Sequence, residues 1–163
     1  ESKIEGPLVS SDISGLIGQY AHGNEPSHHI VHLYNYVNQS WKTQQLIDTI
    51  LHTQYFNNPN GLSGNEDCGQ MSAWYVLNAM GFYQVCPGSP IYSVGRPIFD
   101  KVTINLPNGK VFEIIANNNS RTNKYIQSIR LDNILLESPF FMHSDIMKGG
   151  KIVMEMGNTP VKQ

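Results

Sequence analysis

HGNEPSHHIVH, residues 22–32, and GNEDCGQMSAWY, residues 64–75, follow one plan: glycine, polar residues that include a carboxylate, then an apolar pattern with helical spacing. In the first, Pro26 suits an opening helical turn, where a missing N–H costs nothing. Ile30, Leu33, Tyr34 and Val37 then recur at i, i+3, i+4 and i+7 as the expected buried face. In the second, Asp67 precedes a helix whose buried face is expected to be Met71, Trp74 and Tyr75, and which Gly81 ends. A further helix lies between them, opened by Ser40 and built on Leu46, Ile47, Ile50 and Leu51. Short connections favour an up, down, up arrangement, which brings Glu25 and Asp67, each at a helix N-terminus, to the same end. A cleft there is expected to gather His22, His28, His29 and His32 with the amides of Asn24 and Asn65.

The rest of the composition is that of an ordinary folded chain. Its 163 residues are one domain or two small ones. With 40% hydrophobic and 15% charged residues, disorder is not expected. A net charge of -2 offers no basic field for nucleic acid, and no apolar run approaches the roughly eighteen residues of a membrane span. Cys68 and Cys86 make no disulfide framework or metal knuckle and read as buried thiols. Because the chain opens on Glu1 rather than methionine, it reads as a segment from which something upstream has been removed.

Residues 1 to 20, with Pro7, Ser10, Ser11, Asp12 and the apolar run Ile13 to Ile17, read as irregular structure or one short helix. Helices are expected over 27–38, 41–55 and 68–80, and the Asn-, Pro- and Gly-rich stretch from Asn57 to Asp67 as a shaped surface loop. Beyond Tyr83 the period changes from helical to alternating, which divides the chain into a helical segment, 1–83, and a β-rich region, 84–163. Val102, Ile104 and Leu106, then Phe112, Ile114 and Ala116, form a hairpin around Asn108-Gly109. Strands near 125–131 and 134–137, a helical turn from His143 to Met147, and a last strand through Ile152, Met154 and Met156 complete an α+β arrangement with an antiparallel C-terminal part. Helices with one apolar stripe each do not close a bundle alone, so they are expected to need partners.

Each candidate residue has two readings. Asp67-Cys68-Gly69-Gln70 fits a capping box as well as a catalytic base. Glu25 beside a helix N-terminus is favourable whether or not it has work to do. His28 and His32 stand at the i, i+4 spacing of a zinc site, yet His29 occupies the place of the catalytic glutamate of such sites and no third ligand is evident. Trp41 and Trp74 are either core residues or sugar platforms, Lys42 reads as a solvated side chain, and Glu66 is a ligand or a solvated loop charge.

The run Gly15 to His29 (GLIGQYAHGNEPSHH), Leu33-Tyr-Asn-Tyr, Trp41-Lys-Thr-Gln, Gly64 to Tyr75, Gly81-Phe-Tyr and Pro87-Gly resembles the late region of glycoside hydrolase family 92. Lys101-Val-Thr-Ile, Asn118-Asn-Ser and Tyr125-Ile-Gln-Ser are similar to the same family's C-terminal strands. The resemblance implies a calcium-dependent exo-α-mannosidase that inverts the anomeric centre and releases terminal mannose from α-mannosides and N-glycans. It also implies a catalytic domain around an (α/α)6 barrel, of which this chain is the closing helices and the C-terminal strands. Asp67 matches the base that activates water. Glu25 and Asn24 match the segment near calcium and the terminal sugar, and His28 and His29 the histidine pair expected to line the sugar site.

Asn65 stands where some members carry a second aspartate, and it is expected to contact substrate, with Trp41 as a stacking platform. The family's general acid lies upstream, so the chain alone is expected to be nearly inactive. The implied partners are a mannoside substrate and the rest of the polypeptide, and the implied location is the periplasm or cell surface. A mannose-binding module without catalysis is the rival reading.

Overall fold

The computed structural model describes residues 13–162; the reading of residues 1–12 lies outside them. From Ile13 the chain enters a small hairpin, β1 (Leu16–Ile17) and β2 (Tyr20–Ala21), in place of irregular structure or a helix. Two 3-10 segments follow, Glu25–Ser27 and Ile30–Val37. Then come α1 (Ser40–Thr53), α2 (Gln70–Met80), β3 (Phe82–Tyr83), β4 (Ile91–Val94), β5 (Lys101–Asn105) and β6 (Val111–Asn117). β7 (Tyr125–Leu131), β8 (Ile134–Leu135), β9 (Phe140–Met142), α3 (His143–Lys148) and β10 (Gly150–Gly157) complete the chain.

The first helix is therefore not α-helical, and the face it buries is not the expected one. Val31, His32 and Asn35 are inside, whereas Ile30, Leu33 and Val37 are 42%, 43% and 59% exposed. Three residues per turn rotate the stripe away from the i, i+4 rows of an α-helix, and a polar network holds the buried side. The His32 Nε2–H donates to Asn78 Oδ1 at 2.9 Å, and Ser93 Oγ donates to His32 Nδ1 at 3.1 Å. Asn35 Nδ2 donates to Ser93 Oγ and to the Val94 carbonyl. Buried polar groups are tolerated when paired in this way, and here they tie the 3-10 segment to α2 and β4. Asn38, left-handed at φ 56°, ends the segment.

α1 and α2 bury Ile47, Ile50, Leu51, Met71 and Trp74 as their spacing requires. Trp74 is fully buried, and its Nε1–H donates to the His28 carbonyl, so it is core and not a sugar platform. Gly81, at φ 105°, closes α2 and turns the chain into β3.

The strands make a three-stranded sheet in the order β3-β4-β9 and a five-stranded sheet in the order β5-β6-β10-β7-β8. The larger sheet is mixed rather than antiparallel throughout: β10 runs antiparallel to β7 but parallel to β6. α3 lies between β9 and β10 and returns the chain across the sheet, which a parallel pairing needs and a tight hairpin cannot supply. Alternation along β6 and β10 puts Phe112, Ile114, Ile152 and Met154 on one buried face.

The helical half is fastened to this sheet by Gln44, whose Oε1 accepts from the Ile126 N–H, and by a charge cluster. Asp48 on α1 lies 3.1 Å from Arg96 Nε and 3.5 Å from Lys124 Nζ. Among the described residues both cysteines are exposed and free, contrary to their reading as buried thiols. Exposed apolar side chains also remain on the helical half, among them Tyr36, Val37, Phe56 and Val76.

Candidate active site

Two loops, one from each Gly-Asn motif, meet back to back in front of the helices. A Cβ on Gly64 would collide with the Gly23 carbonyl and stand 2.8 Å from Gly23 Cα, and a Cβ on Gly23 would run into Ser14 Oγ and the Ser63 carbonyl. Only glycine allows the backbones to approach so closely. This crossing opens a polar pocket of about 260 Å³ lined by Ser14, Gly23, Asn24, Glu25, Gly64, Asn65 and Asp67. The expected convergence of Glu25, Asn24, Asn65 and Asp67 is found there, on the 3-10 segment at one side and the turn before α2 at the other.

Asp67 and Cys68 are left-handed, at φ 48° and 57°, and Gly69 follows at 93°. For residues with a side chain this conformation costs roughly 1–2 kcal/mol each, and such strain clusters at sites where direction matters. Asp67 is exposed. The Glu25 carboxyl, within hydrogen-bonding reach, raises its pKa above the ordinary value; the charges of Glu25 and Glu66 add to this, and nearby His28 opposes them. Two carboxyl groups so close share a proton or a cation more readily than both stand bare.

The capping box expected of Asp67 does not form. Gly69 occupies the N-cap without a side-chain bond, and Gln70 points the other way, its Nε2 donating to His28 Nδ1 and to the Tyr83 hydroxyl. Glu66 takes over the cap: its carboxylate accepts from the Ser72 N–H at 3.0 Å and from Ser72 Oγ at 2.8 Å. Asp67 is thereby left to face the pocket.

The histidines do not line the pocket; they stand behind it. His28 is buried, its Nε2–H donating to the His22 carbonyl and its Nδ1 accepting from Gln70. Burial lowers its pKa, against the opposing pull of the His22 carbonyl and Asp67. His22 lies stacked on it with ring centroids 4.8 Å apart, one ring nitrogen bonded to the Tyr20 hydroxyl and the other to that of Tyr55. Both ring nitrogens of His28 and of His32 are thus taken up within the protein, which leaves the i, i+4 pair nothing to offer zinc.

His29 is half-buried and outside the pocket lining. Trp41 sits elsewhere, beside Tyr34, Gln45 and Leu46, with Lys42 Nζ 5.4 Å and Lys162 Nζ 5.7 Å from its ring centre. Tyr55, which touches His22, follows the opposite end of the 14-residue α1, about 21 Å of helix away at 1.5 Å per residue.

Among the described residues no three histidine, cysteine, aspartate or glutamate side chains converge as a metal cluster. Gln70 and Tyr83 could not be placed in this network from spacing, because a histidine's hydrogen-bond partners leave no mark on hydrophobic periodicity. The glycine crossing did leave one, in the recurrence of Gly-Asn-Glu at 23–25 and 64–66.

The catalytic domain of glycosyl hydrolase family 92 matches residues 2–158. The chain belongs to this family. The family 92 α-mannosidase BT3965 of Bacteroides thetaiotaomicron, solved in complex with mannoimidazole, is 44% identical with a TM-score of 0.88, over 93% of this chain and 20% of its own. The inverting mannosidase BT2199 of the same organism is 43% identical with a TM-score of 0.82, over 88% of this chain and 19% of its own. An uncharacterized secreted glycosidase of Arthroderma benhamiae is 27% identical over 138 residues, 83% of this chain and 18% of its own. The family 92 chain thus spans about a fifth of the length of these relatives.

The histidine layer behind this family 92 pocket sets an acid limit on stability. Burial lowers the pKa of His22 to about 3 and that of His32 to about 4. In the unfolded chain both titrate near 6.5. Between those values the unfolded chain binds protons that the folded one refuses, so stability falls as pH drops below 6.5 and is unaffected by these groups above it. We expect a loss approaching ~1.4 kcal/mol per pH unit for each histidine between about pH 6 and pH 4. Denaturation midpoints measured across that range check it, and His32→Gln is expected to flatten the slope.

Proposed function

We propose that this family 92 chain is the C-terminal part of an exo-α-mannosidase and carries the water-activating half of its active site. The observation that supports this most directly is the meeting of the Glu25 and Asp67 carboxyl groups across an oxygen-lined pocket. On this reading Asp67 takes a proton from the attacking water, and Asn65 and Asn24 orient the water and the sugar hydroxyls. An inverting glycosidase places its acid roughly 6.5–9.5 Å from the base, and the upstream part of the polypeptide supplies that acid. The helical segment, 1–83, belongs to the closing part of an (α/α)6 barrel and 84–163 to a C-terminal β-rich region.

Calcium fits the donors. The lining offers the carboxylates of Glu25 and Asp67 and the amide oxygens of Asn24 and Asn65, with no thiol or free imidazole among them, which suits a hard cation. Glu25 beside Asp67 concentrates negative charge that a cation would offset. Glu25 and Asn24 are the residues we assign to hold it, with the rest of its ~6–8 oxygen ligands coming from water, substrate and other parts of the enzyme. Bound there, calcium would polarise vicinal sugar hydroxyls and favour ring distortion. By analogy with the secreted relative, the enzyme works outside the cytoplasm.

The full-length protein that contains this chain is expected to release mannose from an α-linked manno-disaccharide, with β-mannose appearing first in the proton NMR spectrum. Chelation should stop the release and added calcium restore it. Absence of release with and without calcium, while mannose still binds, would establish the non-catalytic alternative.

A further inference from the structure

We infer that Glu66 is a positioning residue that fixes the direction of the Asp67 carboxylate by clamping Ser72 across the left-handed turn between them; this rests on the reading of Asp67 as base. Three consecutive positive φ angles, at Asp67, Cys68 and Gly69, carry the chain from the pocket into α2. Two of these residues bear side chains, so the turn is not one the chain would hold unaided.

What holds it is Glu66 at both ends of its structure. Its carbonyl accepts from the Met71 N–H at 3.2 Å, and its carboxylate accepts from the Ser72 N–H and hydroxyl. Met71 and Trp74 are buried, which makes the first turn of α2 a fixed point. Glu66 therefore closes a loop over Asp67 to Gly69, within which the Asp67 carbonyl accepts from the Gln70 N–H at 3.1 Å and the Gly69 carbonyl from the Ala73 N–H at 2.9 Å.

The arrangement also solves a competition. A carboxylate just before a helix is drawn to the exposed N–H groups of the first turn, and an Asp67 so engaged would not point at the pocket. With Glu66 occupying the Ser72 N–H, the neighbouring carboxylate stays outside the cap. The cost of losing the clamp is thus a misdirected base and not an absent one.

Steady-state kinetics of the full-length protein distinguish this from a role in folding. Misplacement of a reacting group by about 1 Å costs up to ~100-fold, so Glu66→Ala is expected to lower kcat by about 10–100-fold with KM changed less than about twofold. Glu66→Gln keeps the geometry without the charge, since its Oε1 can accept from the Ser72 N–H while its Nε2 donates to Ser72 Oγ, and it should recover most of kcat. In an Asp67→Asn background, Glu66→Ala should add less than about a twofold further loss, because residues acting as a unit are not additive. If Glu66→Ala fails to fold, Ser72→Ala removes only the hydroxyl arm and is put through the same cycle, with a smaller expected fall of about 3–10-fold.

Unchanged kcat per folded molecule in Glu66→Ala overturns the inference, and so does a full additional loss in the Asp67→Asn background. A Glu66→Gln protein as impaired as Glu66→Ala would assign Glu66 a charged role instead. Activity retained by Asp67→Asn alone sinks the base reading, whatever Glu66 does.

Discussion

Replacing Asp67 by asparagine in the full-length protein is expected to lower kcat by about 10²–10⁴-fold, the usual contribution of a positioned acid or base, while substrate binding persists. Asparagine keeps the volume and one oxygen acceptor but takes no proton. Because Asp67 makes no cap and no buried contact, the substitution is expected to leave the fold intact, so the loss reads as chemistry. The pH profile carries a second signature. Without a metal, the Glu25 carboxyl and its charge raise the Asp67 pKa; calcium held by Glu25 would oppose that rise, so the acidic limb of activity should move to lower pH as calcium approaches saturation. Activity of Asp67→Asn within a few-fold of the parent would take the base role from this residue.

The largest effect on stability is expected from Asp48→Ala. The Arg96 side chain is 3% exposed and stands 3.1 Å from the Asp48 carboxylate. Its Nη1 and Nη2 donate to the Pro97 and Ser120 carbonyls, but its Nε, close to Asp48, lacks a well-aligned hydrogen bond, so charge is what holds the pair. Removing the carboxylate leaves a guanidinium buried without its counter-charge, which typically costs 3–5 kcal/mol, or about 4 here. Replacing both partners with apolar residues of similar size is often neutral or stabilising, so Asp48→Leu with Arg96→Met should recover much of the loss. Denaturant titration of the two variants checks the pair. A small effect of Asp48→Ala would mean that the Arg96 guanidinium does not depend on the Asp48 carboxylate for its counter-charge.

α1 and α2 were legible because each has an apolar stripe of 3.6 period, and the β5–β6 hairpin because alternating residues flank an Asn-Gly turn. The 3-10 segment was misread for a physical reason. Its inner face is His32 and Asn35, made acceptable by Asn78, Ser93 and the Val94 carbonyl, 46 to 61 positions away in sequence. No local pattern announces a polar residue whose partner is so distant. The parallel pairing of β6 with β10 is hidden likewise, since alternation tells which face a strand buries and not the direction of its neighbour. At the site, the two acidic motifs announced their convergence through shared spacing. The histidines beside them misled, because a side chain bonded on both ring nitrogens and one free to meet a ligand look the same in a sequence. Trp41 lies at the N-terminal end of α1 and outside the pocket lining; its distance from the pocket depends on how the helices pack, which its own sequence neighbourhood does not tell.

The central place of β10 in the larger sheet also bears on how the protein is made. Residues 150–157 reach the folding chain after every other strand, yet β6 and β7 have no edge in common until they arrive. Before then β5–β6 and β7–β8 are two separate hairpins with half their apolar faces uncovered. α1 leans on this sheet through Gln44 and Ile126, so the helices beside the carboxylate pocket also wait for the last strand. Loss of residues 150–157 would not fray an edge; it would divide the sheet at its middle, and until those residues join, the separated hairpins expose apolar faces of the kind that aggregate.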